Sequence, residues 1–418
     1  MVPSGWKKGL VSDLADTVMG YAFKSNDFVK EGIPLVRMGN LYQNQFQLDR
    51  SPIYLPDDFV IEYRKFLLQS GDLVMSMTGT MGKRDYGFAV EIPENTQDCL
   101  LNQRVLKIEP RNSDAKGFVL NVLKSEIFLS KLYSLPGGTK QANLSATQIR
   151  EISVLIPPLP EQQKIANILS TWDKAISTTE RLIENSTQQK KALMQQLLTG
   201  KKRLLDESGN RFEGEWEEVS LGDISKYQKG YTYKSSEYSE DKTSYGFLTL
   251  KSILRGGGYS ASGIKYLLAS VDEKFAVKSG DVVFAVTDLT RNAEVVGAPI
   301  FVPELEFEKA YISMDLIKLE IKPSVDKLFI YYLLQLASNR NFMRARASGS
   351  TVLHLDVKGS KKLKLRMPKL VIEQQKIAIV LTNADKEIEL LEQQLADLQQ
   401  EKKALMQVLL TGKKRVKT

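Results

Sequence analysis

The sequence predicts a mixed α/β protein: two homologous bodies separated by two long antiparallel coiled-coil helices, the whole forming a pseudo-twofold tandem repeat. The first observation is a stretch written twice. Glu161 to Arg203, EQQKIANILSTWDKAI...KKALMQQLLTGKKR, recurs from Glu373 to Arg415 as EQQKIAIVLTNADKEI...KKALMQVLLTGKKR, at a constant offset of 212 and with 25 identities in 43 positions. A fixed long period decides architecture before any local pattern does. The second observation is a heptad stripe in each copy, and the third is a set of weaker anchors that recur ahead of each copy.

Those anchors define the bodies. Trp6-Lys7-Lys8 through Gly20-Tyr21-Ala22-Phe23-Lys24-Ser25 matches Trp216-Glu217-Glu218 through Gly230-Tyr231-Thr232-Tyr233-Lys234-Ser235. Ser70-Gly71-Asp72-Leu73-Val74 matches Ser279-Gly280-Asp281-Val282-Val283, and Gly137-Gly138-Thr139 matches Gly349-Ser350-Thr351. The expected order is a body over 1–156, a repeated helix over 157–205, a second body over 206–367 and a second repeated helix over 368–418. Each body has a single-domain length. Shared anchors around different intervening residues suggest one fold carrying two specificities.

The repeated segments read as helices with one apolar seam. Ile377, Leu381, Ala384, Ile388, Leu391, Leu395, Leu398, Lys402, Leu405 and Leu409 step alternately by four and three, an a/d pattern sustained over several heptads. The equivalent positions in the first copy are Ile165, Leu169, Trp172, Ile176, Thr179, Ile183, Ser186, Lys190, Leu193 and Leu197. Pro157, Pro158 and Pro160 mark the first start, and Gly200 and Gly412 after Leu-Leu-Thr mark the stops, followed by Lys-Lys-Arg near the negative end of the helix dipole. The second start, Met367-Pro368-Lys369-Leu370-Val371-Ile372, lacks the proline run. Thr179, Ser186 and the two lysines put polar groups on the seam, where they lower stability but fix register and partner, unless they lie at a wet end of the coil and are merely tolerated. At 1.5 Å per residue the 38 residues from Glu161 to Leu198 reach about 57 Å, so the first helix reads as a spacer that delivers the chain to the second body.

Composition excludes several classes. The chain is 42% hydrophobic and 26% charged, and no stretch nears the roughly 18 apolar residues of a membrane span. MVPSGWKKGL has no signal-peptide core, and the one cysteine, Cys99, leaves no intrachain disulfide and no thiolate cluster; a cytoplasmic location is expected. A net charge of +8 permits a nucleic-acid partner. Phosphate-loop, dinucleotide-binding and H-E-x-x-H metal motifs are missing, so the chain is not expected to be an enzyme or to bind a cofactor or metal itself. The single histidine, His354, reads as structural or incidental. Asp57, Asp58 and Glu62 with Arg64 resemble a loose nuclease pattern, but nothing similar occurs in the second half and a solvated acidic turn is the simpler reading.

The doubled order of the Trp6 to Leu10 and Trp216 to Leu221 starts, the Gly-Asp-Leu-Val and Gly-Asp-Val-Val strands, the Gly-Gly-Thr and Gly-Ser-Thr turns and the Glu-Gln-Gln-Lys-Ile-Ala helices ending in Leu-Leu-Thr-Gly resembles the specificity subunit of type I restriction-modification enzymes. The resemblance covers essentially the whole chain. It implies that each body is a target recognition domain reading one half of a split, asymmetric sequence in double-stranded DNA. It implies that the repeated helices dock two modification subunits, adenine methyltransferases that bind S-adenosylmethionine, and that restriction subunits using ATP and Mg2+ join them. This chain would then be non-catalytic, a soluble component that sets sequence choice. A stand-alone two-headed DNA-binding regulator and a coiled-coil scaffold are the alternative classes; the lack of an effector pocket disfavours the first, and the matched frames with different inserts disfavour the second.

Residue type and position nominate DNA contacts. Gly137, Gly138, Thr139, Lys140 and Gln141, and in the second half Gly349, Ser350 and Thr351, combine close backbone approach with polar donors suited to phosphates. Lys83 and Arg84 follow one turn, and Arg291 and Asn292 stand at the matched place; Arg suits guanine and Asn or Gln suits adenine. The alternative is that these glycines only make tight turns and these side chains are solvated surface. Arg37, Asn40, Gln103 and Arg104 are weaker candidates, since Arg104 sits at a strand expected from Val105 to Ile108 and would there support the fold.

If the helices act as a ruler, deleting one heptad from each, Ile176 to Leu182 and Ile388 to Gln394, keeps the seam in register and shortens the coil by about 10 Å. At about 3.4 Å per base pair the recognised target should lose roughly two to three pairs between its half-sites, with the half-site bases unchanged. Sequencing of methylated adenines reads this directly, and an active variant with an unaltered gap would refute the ruler.

Overall fold

A computed structural model of the chain describes residues 2–136, 140–239 and 241–417. It divides into two compact units, one comprising Met1–Glu180 with Gln393–Thr418 and the other Arg181–Glu392. Both are mixed α/β.

In the first unit, Lys7–Leu10 pairs antiparallel with Ser153–Ile156, tying the start of the body to its end, where the long helix begins. The central sheet is antiparallel, in the order Ala15–Met19, Val105–Pro110, Leu73–Ser76, Ala89–Glu91. Its Leu73–Ser76 strand is a run of four buried residues, as expected where a strand is covered on both faces. A second sheet joins Ile33–Val36 and Cys99–Leu101 in parallel and adds Tyr54–Leu55 and Leu67–Leu68 at its edges. The helices Lys116–Lys124 and Glu126–Tyr133 press Phe118, Val122, Phe128 and Leu132 into the core beneath the central sheet.

The second unit repeats this plan. Trp216–Ser220 pairs with Lys364–Pro368, and the central sheet runs Ser225–Lys229, Leu316–Ile321, Val282–Ala285, Pro299–Phe301. Tyr245–Leu248 lies parallel to Lys309–Ile312 within a five-stranded sheet, and Lys327–Gln335 with Ala337–Arg344 form the helical pair.

Both repeated segments are single helices of 39 residues, Leu159–Leu197 and Val371–Leu409. Both starts close in the same way although only the first has the proline run: Gln374 Nε2 donates to the Pro368 carbonyl at 2.8 Å, just as Gln162 Nε2 donates to that of Pro157 at 2.8 Å. Gly200 and Gly412 both take left-handed φ, +73° and +66°, and a Cβ on either would crowd the ring of Trp216 or Pro3 and Trp6. In each unit a stretch of one long helix packs antiparallel on a stretch of the other. Within the first unit Asp173 meets Lys402 at 2.5 Å while Glu161 meets Arg415; within the second, Ser186 bonds Glu387, Lys190 pairs with Asp385 and Arg203 pairs with Glu373.

The seam positions differ from their neighbours in exposure. Ile165, Leu169, Leu197, Ile377, Leu381 and Leu409 are buried, and Trp172, Ile176, Ile183, Leu193, Ile388, Leu391, Leu395, Leu398 and Leu405 are half-buried. The polar seam residues are inside as well. Thr179 and Ser186 are only 4% and 8% exposed, and the two lysines each have a carboxylate on the facing helix. A one-heptad slip that set Ala378 and Ala166 opposite the lysines would leave those charges unpaired, which is how a polar seam position opposes sliding in that direction.

The ends of the repeat meet one another. Arg203 grips Glu373 through Nε and Nη2 at 2.6 and 2.7 Å, and donates to the Gly214 carbonyl. Arg415 grips Glu161 and donates to the Ser4 carbonyl, while Trp6 Nε1 adds a bond to Glu161 at 2.6 Å. The Arg415 partnership, against the cost of burial and with help from Trp6, holds the Glu161 carboxyl below the usual glutamate range. Glu373 is fully buried, so Arg203→Met alone should strand a charge and lower stability by about 3 kcal/mol or more, whereas Arg203→Met with Glu373→Met should cost much less than the sum of the single changes. Urea unfolding of the three variants checks this, and additive losses would show that the pair carries no coupling.

Candidate nucleic-acid interface

The segments nominated from sequence lie far apart in the chain and are joined by short β-ribbons. In the first body Thr78–Thr80 pairs antiparallel with Gln141–Asn143, setting Gln141 opposite Thr80 and Asn143 opposite Thr78. The Met81 amide donates to the Lys140 carbonyl at 3.2 Å, so the turn carrying Lys83 and Arg84 and the segment carrying Lys140 and Gln141 share one end of the ribbon. Gly137, Gly138 and Thr139 lie outside the described residues. In the second body Thr287–Asp288 pairs with Leu353–Leu355, which pairs in turn with Ala347–Ser348. Gly349, Ser350 and Thr351 form the exposed tip of that hairpin; Gly349 has φ +137° and a Cβ there would strike the Val352 carbonyl oxygen.

Carboxylates, one buried and one half-buried, pin the turns. Asp288 is fully buried and accepts the amides of Thr290, Val295 and Val296 at 2.6, 2.6 and 2.7 Å. Burial alone would raise its pKa, but these bonds overcome that and hold it below the usual aspartate range. Asp85 plays a similar part, accepting the Thr80 amide at 2.7 Å. From the other side Arg340 donates to the Val296 and Glu294 carbonyls and Arg344 to that of Ala293. Desolvation lowers Arg340 to about 10, still a cation at neutral pH. The loop so mounted presents Arg291 and Asn292, both exposed and without a side-chain partner among the described residues, ahead of Ala293 in left-handed φ of 52°. Lys83 is likewise exposed and unengaged among the described residues, whereas Arg84 is held by Glu126 at 2.5 Å and lies over the Tyr133 ring.

The weaker candidates separate by geometry. Asn40 is buried, caps the Arg37 amide and spends its own amide on the Gln47 and Arg50 carbonyls; Arg37 is bonded to the Ser51 carbonyl. Both are occupied by their own loop. Gln103 and Arg104 precede the strand Val105–Pro110, are exposed, and sit beside the ribbon, where Arg104 Nη1 meets Asn143 Oδ1 at 3.1 Å. Asp57, Asp58 and Glu62 are exposed around the short helix Phe59–Glu62, and no cluster of three metal-ligating residues occurs among the described residues. Burial pushes the Cys99 thiol up to about 12, which leaves it unreactive.

One platform underlies both bodies. The amide of Tyr21 donates to Leu101 and that of Gln103 donates back to Tyr21, as Tyr231 donates to Ile312 and Met314 to Tyr231. Met77 donates to Arg104 and Leu144 to Met77, as Val286 donates to Asp315 and Leu355 to Val286. Gly20 and Gly230 permit the close approach: a Cβ on either would lie 2.1 Å from the carbonyl oxygen of Asn102 or Ser313. These bonds equate Gln103 with Met314, Arg104 with Asp315, and Asn143 with His354. His354, expected to be structural or incidental, is thus the exposed counterpart of Asn143, one residue away from the register that the Gly-Gly-Thr and Gly-Ser-Thr match predicts. The helix caps carry the correcting signal, because Ser145 and Asp356 each cap the helix that follows the ribbon.

Comparison with known proteins identifies the chain. The profile of the family described as "Type I restriction modification DNA specificity domain" matches residues 3–186 and again 213–400. The chain belongs to this family. It is similar to the chain of Methanocaldococcus jannaschii assigned as the MjaX type I restriction enzyme specificity subunit, 25% identical over all of this chain and 95% of that one. It is similar also to the EcoKI specificity subunit of Escherichia coli strain K12, 23% identical over 82% of this chain and 74% of the other. Its fold resembles the crystal structure of the S subunit of the type I restriction-modification system from M. genitalium, with a TM-score of 0.60, 16% identity and coverage of 98% and 96%. The relatives are specificity subunits, the non-catalytic components of type I restriction-modification systems, and the two bodies are DNA specificity domains in tandem. Among the described residues no helix is long and apolar enough to cross a membrane.

The pinned loop gives a pH test. A depressed aspartate contributes fully above its unfolded pKa, about 3.9, and loses that contribution only as pH falls through the lower folded value. Between about pH 7 and pH 5 the amides of Val295 and Val296 should therefore keep their protection against hydrogen exchange, after correction for intrinsic rates. Asp288→Ala leaves three amides without an acceptor and should lower stability by about 3 kcal/mol or more, with protection lost at both values. Unchanged exchange in that variant would mean the carboxylate does not hold the loop.

Proposed function

We propose that this chain supplies sequence choice to a type I restriction-modification complex. Each specificity domain reads one half of a split, asymmetric DNA target through its ribbon, pinned loop and neighbouring turn. The long helices dock two modification subunits, which bind S-adenosylmethionine and methylate an adenine in each half-site. Restriction subunits using ATP and Mg2+ join to cut unmodified DNA. Chemistry belongs to those partners, and this chain contributes position and selection. The observation that best supports the reading is the doubled platform: the same main-chain bonds recur in both domains while the exposed side chains they carry differ in charge and shape. A frame kept constant under variable contacts is what two independent sequence readers need, because phosphate contacts position a protein and base contacts specify it.

Replacing residues 206–367 with the equivalent domain of a relative, in the complex with its modification subunits, should change one half of the methylated site and leave the other intact. Sequencing of methylated adenines reads the outcome, and a change in both halves would overturn domain independence.

A further inference from the structure

The platform makes a sharper assignment, which rests on the DNA reading above. We propose that Gln103, Arg104 and Asn143 in the first domain, and Met314, Asp315 and His354 in the second, are equivalent specificity-determining positions.

Three observations carry this. The first is register: the main-chain bonds through Tyr21, Met77 and Leu144, and through Tyr231, Val286 and Leu355, superpose the two sets residue on residue. The second is presentation. Gln103, Arg104, Asn143, Met314 and His354 are exposed and Asp315 is half-exposed, while the residues that hold them, among them Val105, Leu144, Leu316 and Leu355, are buried. The third is contiguity. Arg104 reaches Asn143, whose cross-strand partner is Thr78; Asp315 accepts a bond from Thr287 Oγ1 at 2.9 Å, and the cross-strand partner of Thr287 is His354. In each domain the loop and the ribbon thus expose one small patch on a frame that its side chains do not build. The Gly-Tyr segment shared by the two bodies serves as the clamp on that loop.

The chemistry of the patches differs in kind. Arg104 offers a bidentate donor to guanine O6 and N7, and Gln103 and Asn143 offer the paired donor and acceptor that match adenine N6 and N7. The first patch suits purine edges. Asp315 can only accept when ionised, which suits an exocyclic amino group such as cytosine N4; Met314 offers apolar contact to a thymine methyl. A carboxylate beside the phosphate backbone also repels unless an amino donor faces it, so Asp315 discriminates by penalty as well as by attraction.

The test exchanges the patches. The complex with modification subunits is assembled on Gln103→Met/Arg104→Asp/Asn143→His, and, as a milder second variant, on Arg104→Ala; each is used to select from a randomised DNA duplex library. Arg104 is exposed and its carbonyl bond to Met77 survives substitution, so the milder variant keeps the frame. The exchange should change the bases enriched in one half-site and leave the other half-site as it was. Arg104→Ala should reduce discrimination at one base pair of that same half-site by about 10- to 100-fold. Thermal unfolding unchanged from the parent separates this from a fold effect, since a merely supporting arginine would shift the melt and leave the motif alone. Both variants enriching the parent motif would overturn the assignment while leaving the proposed function standing. A parent complex that enriches no motif at all would instead sink the function on which the assignment rests.

Discussion

The crossed pairing of Glu161 with Arg415 and of Glu373 with Arg203 is the constraint on which the rest depends. A carboxylate as buried as Glu373 is tolerable only with a hydrogen-bonded cation beside it. In both cases the cation comes from the other copy of the repeat. The start of one repeat therefore cannot be buried until the end of the other arrives, and in each unit that meeting also brings the Leu-Leu end of a helix, Leu409 and Leu410 or Leu197 and Leu198, into the core of the body. The order of the motif follows from this. Glutamate binds the partner arginine, glutamine closes the turn onto the preceding proline, isoleucine and alanine enter the core, and glycine allows the arginine to swing back over a tryptophan.

The bodies obey the opposite rule. Their frames are fixed by main-chain bonds, such as those through Tyr21 and Tyr231, and by carboxylates such as Asp288 that satisfy several amides at once. Main-chain bonds are indifferent to the side chains they present. A body built this way can exchange Arg104 for Asp315, or Asn143 for His354, without reopening its core. Arg340 and Arg344 extend the principle, since they hold the Arg291 loop by its carbonyls.

Much of this was legible in the sequence because it rests on local period or exact recurrence. The repeat, the alternating seam, the helix stops at Gly200 and Gly412 and the matched strands around Leu73 and Val282 are all written in consecutive residues. The ribbon was not legible, because Thr78 and Asn143 are joined only by tertiary pairing and short strands carry little pattern of their own. Nor was the role of Asp288, a single acidic residue whose importance comes from burial that no spacing announces. The register at the turn failed for a definite reason. Gly-Gly-Thr and Gly-Ser-Thr align as strings at an offset of 212, whereas the helices before them and the ribbon strands after them are related by 211, so the string match is one residue out of register.

These two rules explain why the halves diverge so unevenly. A change at Glu161 or Leu409 alters a buried partner elsewhere in the chain and must be answered there, so these positions of the tails vary only in coupled sets. A change at Gln103 or Met314 meets solvent and alters nothing that holds the frame. The duplicated tails stay alike because each is the other's binding surface, and the bodies drift because their exposed positions are free. Variation then concentrates at the surface patches, where a new side chain costs little stability and changes what the domain can touch.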